Sequence, residues 1–197
     1  MRLSFVLAIV VALLSGCAET TASSGFELRQ ESKFDIDSPS DVCQCERCQE
    51  YELRIFGERL KKSACSHPQL VVDAEAIEFG IGVQSKPGTV FVHLFPAPEK
   101  HQEILKLAKE DTSAWFLVMV GERPVAEESA AVLIYPFVNL RFGSVEEARR
   151  MLKAVGQPPV VLEGTPEVYR RLAQVVYEGD RSELERLAAS GSGRVEP

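Results

Sequence analysis

The sequence predicts an α+β fold, a small mixed or antiparallel sheet with two packed helices in a ferredoxin-like arrangement, followed by a C-terminal helical hairpin. Three observations predict it. From residue 70 onward, short apolar runs with strand patterning alternate with stripes of helical period. Turn residues with fixed conformational roles, Pro87-Gly88, Gly121 and Pro158-Pro159 among them, separate these runs. Over 197 positions, 45% apolar and 26% charged residues make the composition of an ordinary globular chain.

The first element is not part of that fold. Met1-Arg2 forms a positive n-region, Leu3 to Leu14 an apolar run, and Ser15-Gly16 a pair of small residues before Cys17. This is the anatomy of a signal peptide spanning residues 1–16. The run is shorter than the roughly 20 apolar residues a permanent membrane helix needs. Leu14-Ser15-Gly16-Cys17 resembles the bacterial lipobox, which implies cleavage before Cys17 and acylation of its thiol and new amino terminus. Several acyl chains, each contributing about 0.8 kcal/mol per buried CH₂, anchor durably where one chain is reversible. The resemblance implies a bacterial envelope location, and Ala18-Glu19 after the cysteine matches the pattern of lipoproteins sorted to the outer membrane, facing the periplasm.

Residues 17–41 read as a flexible tether, because Ser, Thr, Glu and Asp dominate and Phe26, Leu28, Phe34 and Ile36 show no sustained period. As a random chain, such a tether spans roughly 25 to 30 Å. Asp35, Asp37 and Asp41 are solvated linker acids on this reading; Pro39 and Ser40 stand where a calcium loop needs a ligand and a turning glycine.

Residues 42–69 carry Cys43, Cys45, Cys48 and Cys65 around a strand-like run, Tyr51-Glu-Leu-Arg-Ile-Phe. In an exported chain four cysteines favour two disulfides. Bridging Cys43 to Cys45 across one residue is strained, so each is expected to reach Cys48 or Cys65. The competing reading is a Cys₄ zinc site, since C-x-C-x₂-C with a fourth cysteine can present four thiolates tetrahedrally; a thiol-redox pair at Cys45-Glu-Arg-Cys48 lacks a thioredoxin-like strand and helix around it. Apart from zinc on that second reading, no cofactor is expected.

Residues 70–160 form the main domain. Glu78–Gln84 and Thr89–Phe95 read as strands joined through Ser85-Lys86-Pro87-Gly88. Pro96 and Pro98 open a helix in which His101, Ile104, Leu105 and Ala108 share a face. Trp115–Val120 is an apolar run suited to a central strand covered on both faces, and Ala131–Val138 to a strand at an edge or bulge, given Pro136. Ser144 and Glu147 have capping-box spacing for a second helix buried through Val145, Ala148, Met151, Leu152 and Val155 and ended by Gly156. Residues 161–190 read as the helical hairpin, with Thr165-Pro166 opening its first helix, Gly179 closing it, and Asp180 and Glu183 capping the second. Residues 191–197 form a tail expected to be disordered.

Across Ile77 to Pro159, the order of elements and two local sequences resemble the head of the first periplasmic domain of the SecD/SecDF protein-export proteins. Phe142-Gly-Ser144-Val-Glu-Glu147-Ala148 matches the family's helix opening, and Phe116-Leu-Val-Met-Val-Gly121-Glu-Arg-Pro-Val125 stands where it has an apolar strand running into a glycine turn. Val120 replaces the family's usual aspartate at that turn. The resemblance implies contact with exported polypeptides and no catalysis. No individual residue role carries over, and no transmembrane helices of the export machinery follow.

Charge and motifs narrow the classes further. The 22 basic against 29 acidic residues give a net charge of −7, which repels nucleic acid. No phosphate-cradling loop is present, and Gly80-Ile-Gly82 lacks the third glycine of a dinucleotide fingerprint, so it reads as a strand bend and no nucleotide partner is expected. His67, His93 and His101 have no metal or catalytic spacing and read as structural, although His93 and His101 can approach if the helix folds back on its strand. Glu127-Glu128 and Glu146-Glu147 point apart as sequence neighbours. No catalytic constellation emerges. The expectation is a lipid-anchored, non-enzymatic envelope protein that binds a protein or an extended polypeptide near a sheet edge at Ala131–Val138, with a metal-binding or thiol-redox lipoprotein centred on the four cysteines as the alternative.

Overall fold

The computed structural model describes residues 25–32, 46–55, 58–180 and 182–192. Its strands are β1 (Phe26–Gln30), β2 (Cys48–Ile55), β3 (Glu58–Cys65), β4 (Leu70–Val72), β5 (Ile77–Lys86), β6 (Thr89–Pro96), β7 (Trp115–Val120), β8 (Arg123–Ser129), β9 (Val138–Phe142) and β10 (Val161–Glu163). Its helices are α1 (Pro98–Glu110), α2 (Val145–Ala154), α3 (Pro166–Glu178) and α4 (Ser182–Ser192). The fold is α+β, as expected. Its strands do not form one sheet, however, but two four-stranded sheets ordered β4-β1-β7-β8 and β10-β5-β6-β9, plus the β2-β3 hairpin. Pairing is antiparallel except between β10 and β5.

One core joins the two larger sheets. Phe26 and Leu28 from β1 and Phe116 and Val118 from β7 meet Val90, Val92 and Leu94 of β6, with Ile104 and Ala108 of α1 and Ala148 and Leu152 of α2 completing it. Period-two alternation sends the other residues of β7 the opposite way. Leu117 and Met119 pack against Leu53 and Ala64 of the hairpin. The expectation that Trp115–Val120 is covered on both faces is thus met, with β2-β3 as the outer cover.

The tether is corrected by β1. Leu28 is fully buried, and β1 lies between β4 and β7 with Leu28 opposite both Leu70 and Val118. Two apolar residues at i and i+2 suffice for a short strand when partners from distant parts of the chain close both of its edges. Within residues 42–69, the described strands β2 and β3 form a hairpin that packs on β7.

The strand expected at Ala131–Val138 is also displaced. Local bonds from the amides of Val132 and Leu133 to the Ser129 carbonyl and from Tyr135 to Val132 turn the chain there, and the strands lie on either side, as β8 and β9. Pro136 cannot donate to a ladder, so pairing resumes only beyond it. At the C-terminal end, Val161–Glu163 is the strand β10, beside Gly82 to Gln84 of β5, and α3 and α4 follow it.

The terminators act as predicted. Ser144 Oγ accepts from the Glu147 amide at 3.2 Å, while the Glu147 carboxylate accepts from Gly143 rather than from Ser144 itself, at 3.1 Å. Gly179, at φ 70°, closes α3. Gly80 and Gly82 serve close approach: a Cβ at Gly80 would lie 2.9 Å from Leu152, and one at Gly82 2.7 Å from Val161. Among the described residues, no helix is long and apolar enough to cross a membrane.

Candidate functional site

The second sheet turns two apolar faces outward from its backbone, and only one of them enters the main core. On β6, Val90, Val92 and Leu94 point into that core, so Phe91, His93 and Phe95 share the opposite face. On β9, Val138 and Leu140 enter the core, leaving Phe137 and Asn139 beside that same face. Leu172 and Val175 of α3 and Leu184 and Leu187 of α4 cover this side, packing on Ile81, Val83, Leu162 and Phe95. The helical layer therefore sits over β10 and β5 and reaches β6 through Phe95.

Where the layer stops, a cavity of about 400 Å³ opens between the sheet and α3. Its floor is Phe91, His93 and Asn139; Phe95, Phe137 and Tyr135 line one side, and Tyr169 and Tyr177 of α3 the other. Aromatic contacts order this lining. The His93 ring meets Phe137 edge-on at a centroid distance of 5.0 Å, Phe137 lies 5.6 Å from Phe95, and Tyr135 stacks on Phe137 at 5.9 Å. At the rim Tyr135, Tyr169 and Tyr177 are exposed, Tyr177 to 80%. Solvent-facing aromatic rings clustered around one concavity are a recognition feature, whereas isolated exposed apolar residues are not.

Two polar atoms stand out in this apolar setting. His93 and Asn139 are direct cross-strand partners, and His93 Nδ1 and Asn139 Oδ1 are both closed to solvent and without a hydrogen-bond partner among the described residues. A buried polar atom without a partner costs about 1 to 3 kcal/mol. Burial also pushes the His93 imidazole down to about 4, so it is neutral near pH 7, with one ring nitrogen donating and the other accepting. Among the residues lining the cavity, none carries a carboxylate, ammonium or guanidinium group.

The second polar cluster is structural in form. Between the hairpin and the first sheet, Arg29 donates to Tyr51 Oη at 2.6 Å and to the Ser66 carbonyl, and pairs with Glu27 at 2.7 Å. Beside it, Lys62 Nζ lies 2.6 Å from Glu127 and 3.4 Å from Glu31. These bonds tie β1, β3 and β8 together. Burial raises the Glu31 carboxyl to about 7, helped by repulsion from Glu127 and opposed by Lys62. Glu128 rises to about 7 for the same first two reasons. Glu127 and Glu128 stand opposite Leu117 and Phe116, on opposite faces of the sheet, in keeping with the expected divergence.

The remaining sequence-predicted residues are dispersed. Cys17, Cys43 and Cys45 lie outside the described residues. Cys48 and Cys65 face one another across the β2-β3 hairpin, and both are disulfide-bonded. β3 supplies the strand that faces β2, and its charged run Glu58-Arg-Leu-Lys-Lys hides a strand from pattern reading. In that state the two sulfurs offer no thiolate to a metal. Among the described residues, no group of three or more His, Cys, Asp or Glu side chains is placed to hold one. His93 and His101 converge on one segment from two sides, His101 Nε2 lying 3.0 Å from the Tyr135 carbonyl. Asn139 and the tyrosines of α3 had no local signal of function; the alternation of Phe91, His93 and Phe95 behind a Val-Val-Leu face was the available one. No family model, curated protein or solved structure matches the chain.

Proposed function

We propose that the chain is a lipid-anchored protein of the bacterial envelope that binds another protein or an extended polypeptide and performs no catalysis. The observation that carries the binding role is the aromatic cavity at Phe91, His93 and Asn139, open to solvent beside Tyr169 and Tyr177. Its apolar walls and exposed aromatic rim are those of a recognition site. A catalytic site needs a nucleophile and a base held within hydrogen-bond reach of each other. His93 is the one titratable imidazole on this floor, with Nδ1 unpartnered. The resemblance of residues 77–159 to the export head supports polypeptide as the ligand.

The anchor reading rests on Leu14-Ser15-Gly16-Cys17. Because β1 starts at Phe26, the stretch from Cys17 to the fold spans at most about 30 Å when extended. The binding domain is thereby held close to the membrane, in the outer-membrane leaflet facing the periplasm on the Ala18-Glu19 reading. Membrane fractionation of cells expressing the wild type and Cys17→Ser tests this half of the reading. Wild type is expected in the membrane pellet with an acylated amino terminus and the variant in the soluble periplasmic fraction; retention of the variant in the pellet contradicts it.

A further inference from the structure

We propose that the β2-β3 hairpin is a proton-operated cover: one proton held at the Glu31–Lys62–Glu127 site keeps it seated on β7, and loss of that proton lifts it and uncovers Leu117 and Met119. The device lies on the outer face of the first sheet and does not depend on the aromatic cavity or its ligand.

The seat is narrow. Among the described residues the hairpin is a two-stranded sheet of its own, joined to the first sheet through backbone at a single bridge, Glu31 with Ala64, where the Ser32 amide donates to the Ser63 carbonyl at 2.8 Å. Its apolar contact is Leu53 and Ala64 on Leu117 and Met119, with Tyr51 partly buried beside them. An element held by so little apolar surface opens at lower cost than the core it covers. The charges on that seat do not balance. Lys62 Nζ lies 2.6 Å from Glu127 and 3.4 Å from Glu31, so two carboxylates share one cation, and Glu31 Oε1 is closed to solvent without a hydrogen-bond partner. Fully ionised, the site shuts a surplus negative charge away from water; with one proton added it is neutral. Burial, together with repulsion from Glu127 and against the pull of Lys62, accordingly raises the Glu31 carboxyl to about 7.

The other charged groups of the elements packed here do not supply the missing compensation. On β1, Arg29 is paired with Glu27 and donates to Tyr51 Oη of β2 and to the Ser66 carbonyl. β7 carries no ionisable side chain. Glu128 of β8 stands opposite Phe116, on the far face of the sheet. On the hairpin, Glu50 pairs with Lys61 and Glu52 with Arg54 and Arg59 at the surface, and Glu58 is exposed at the tip. Lifting the hairpin takes Lys62 away and returns Glu31 to water, where its carboxyl loses the proton near the ordinary 4.5. The seated form keeps that proton up to about 7, so each pH unit between about 4.5 and about 7 favours lifting by up to about tenfold, with no further gain above. Glu128 stays on the far face throughout and does not exchange its proton in step. What lifting uncovers is an apolar strip, since Leu117 and Met119 are fully buried in the seated form.

The native methionines test the proposal. Beyond Met1 the chain has two, Met119 beneath the hairpin and Met151 in the main core. A thioether has no proton to lose, so its oxidation by hydrogen peroxide to the sulfoxide reports access rather than ionisation. The full protein as isolated from cells is exposed to peroxide at pH 5, 6, 7 and 8.5, and both sulfoxides are followed by peptide mass spectrometry. The Met119 rate relative to that of Met151 is expected to rise at least about tenfold from pH 5 to 7 and then to level off. In Glu31→Gln, which cannot ionise, the ratio is expected to stay flat. Because the two methionines are compared within the wild type, the test stands even if the variant folds poorly. A wild-type ratio that does not change with pH overturns the cover, whether both methionines stay protected or both are exposed together by global unfolding, and the same rise in a folded Glu31→Gln overturns the assignment of the proton.

Discussion

Lys62 Nζ on the outer hairpin lies 2.6 Å from Glu127 Oε2 on β8 and also reaches Glu31 just beyond the end of β1. Three segments distant in sequence are joined by one ammonium group shared between two half-buried carboxylates. A single cation cannot fully compensate two desolvated anions, which is why the Glu31 carboxyl is pushed up to about 7 by burial and by Glu127.

That arrangement sets a pH dependence. The folded Glu31 carboxyl holds its proton up to about 7, whereas the unfolded one releases it near 4.5. Folding therefore loses free energy at this site as pH rises from about 4.5 to about 7. Glu31→Gln cannot ionise, so its stability relative to wild type is expected to improve steadily across that window and level off above it. Urea denaturation of both proteins at pH 4.5, 6 and 8 measures this; a difference independent of pH contradicts it.

His93 works in the opposite direction. Its folded value near 4 lies below the unfolded 6.5, so the neutral ring is the native form and its contribution is lost as pH falls from about 6.5 to 4. His93→Phe removes that sensitivity. The stability of the variant relative to wild type is expected to rise on acidification between these limits, and NMR titration of the His93 ring is expected to place its midpoint well below 6. A midpoint at 6.5 contradicts the burial.

Leu28→Ala separates a strand from a tether. Leu28 is fully buried between β4 and β7, and truncating such a leucine costs about 2 to 5 kcal/mol. A comparable loss in chemical denaturation is expected, and a change below about 0.5 kcal/mol returns residues 26–30 to the linker.

The facing cysteines give a chemical check. Peptide mapping under non-reducing conditions is expected to recover Cys48 and Cys65 each in a disulfide-linked peptide, and the double substitution to serine to lower stability by about 2 to 4 kcal/mol. Recovery of either residue as a free thiol contradicts it.

These tests fall where local sequence and tertiary structure part company. Helices α2 and α3 were legible because their terminators are local: Ser144 and Thr165 accept from amides three residues on, and Gly179 takes a left-handed conformation that favours glycine. Strand β7 was legible as an unbroken apolar run. By contrast, β1 offers only Phe26 and Leu28 amid polar residues, and what makes it a strand is pairing with segments more than 40 and 80 positions away. The same holds for the site. Alternation placed Phe91, His93 and Phe95 on one face, but the cavity exists because α3 covers Ile81 and Val83 and stops short of Asn139, a relation among elements with no local signature.

The most direct test of the account is a photo-crosslinking residue placed at Tyr177 in growing cells, beside the cavity, compared with one at Glu103, on the outward face of α1. The account predicts a discrete adduct with a polypeptide at position 177, missing at position 103. Adducts of equal yield at both positions, or none at position 177, contradict it.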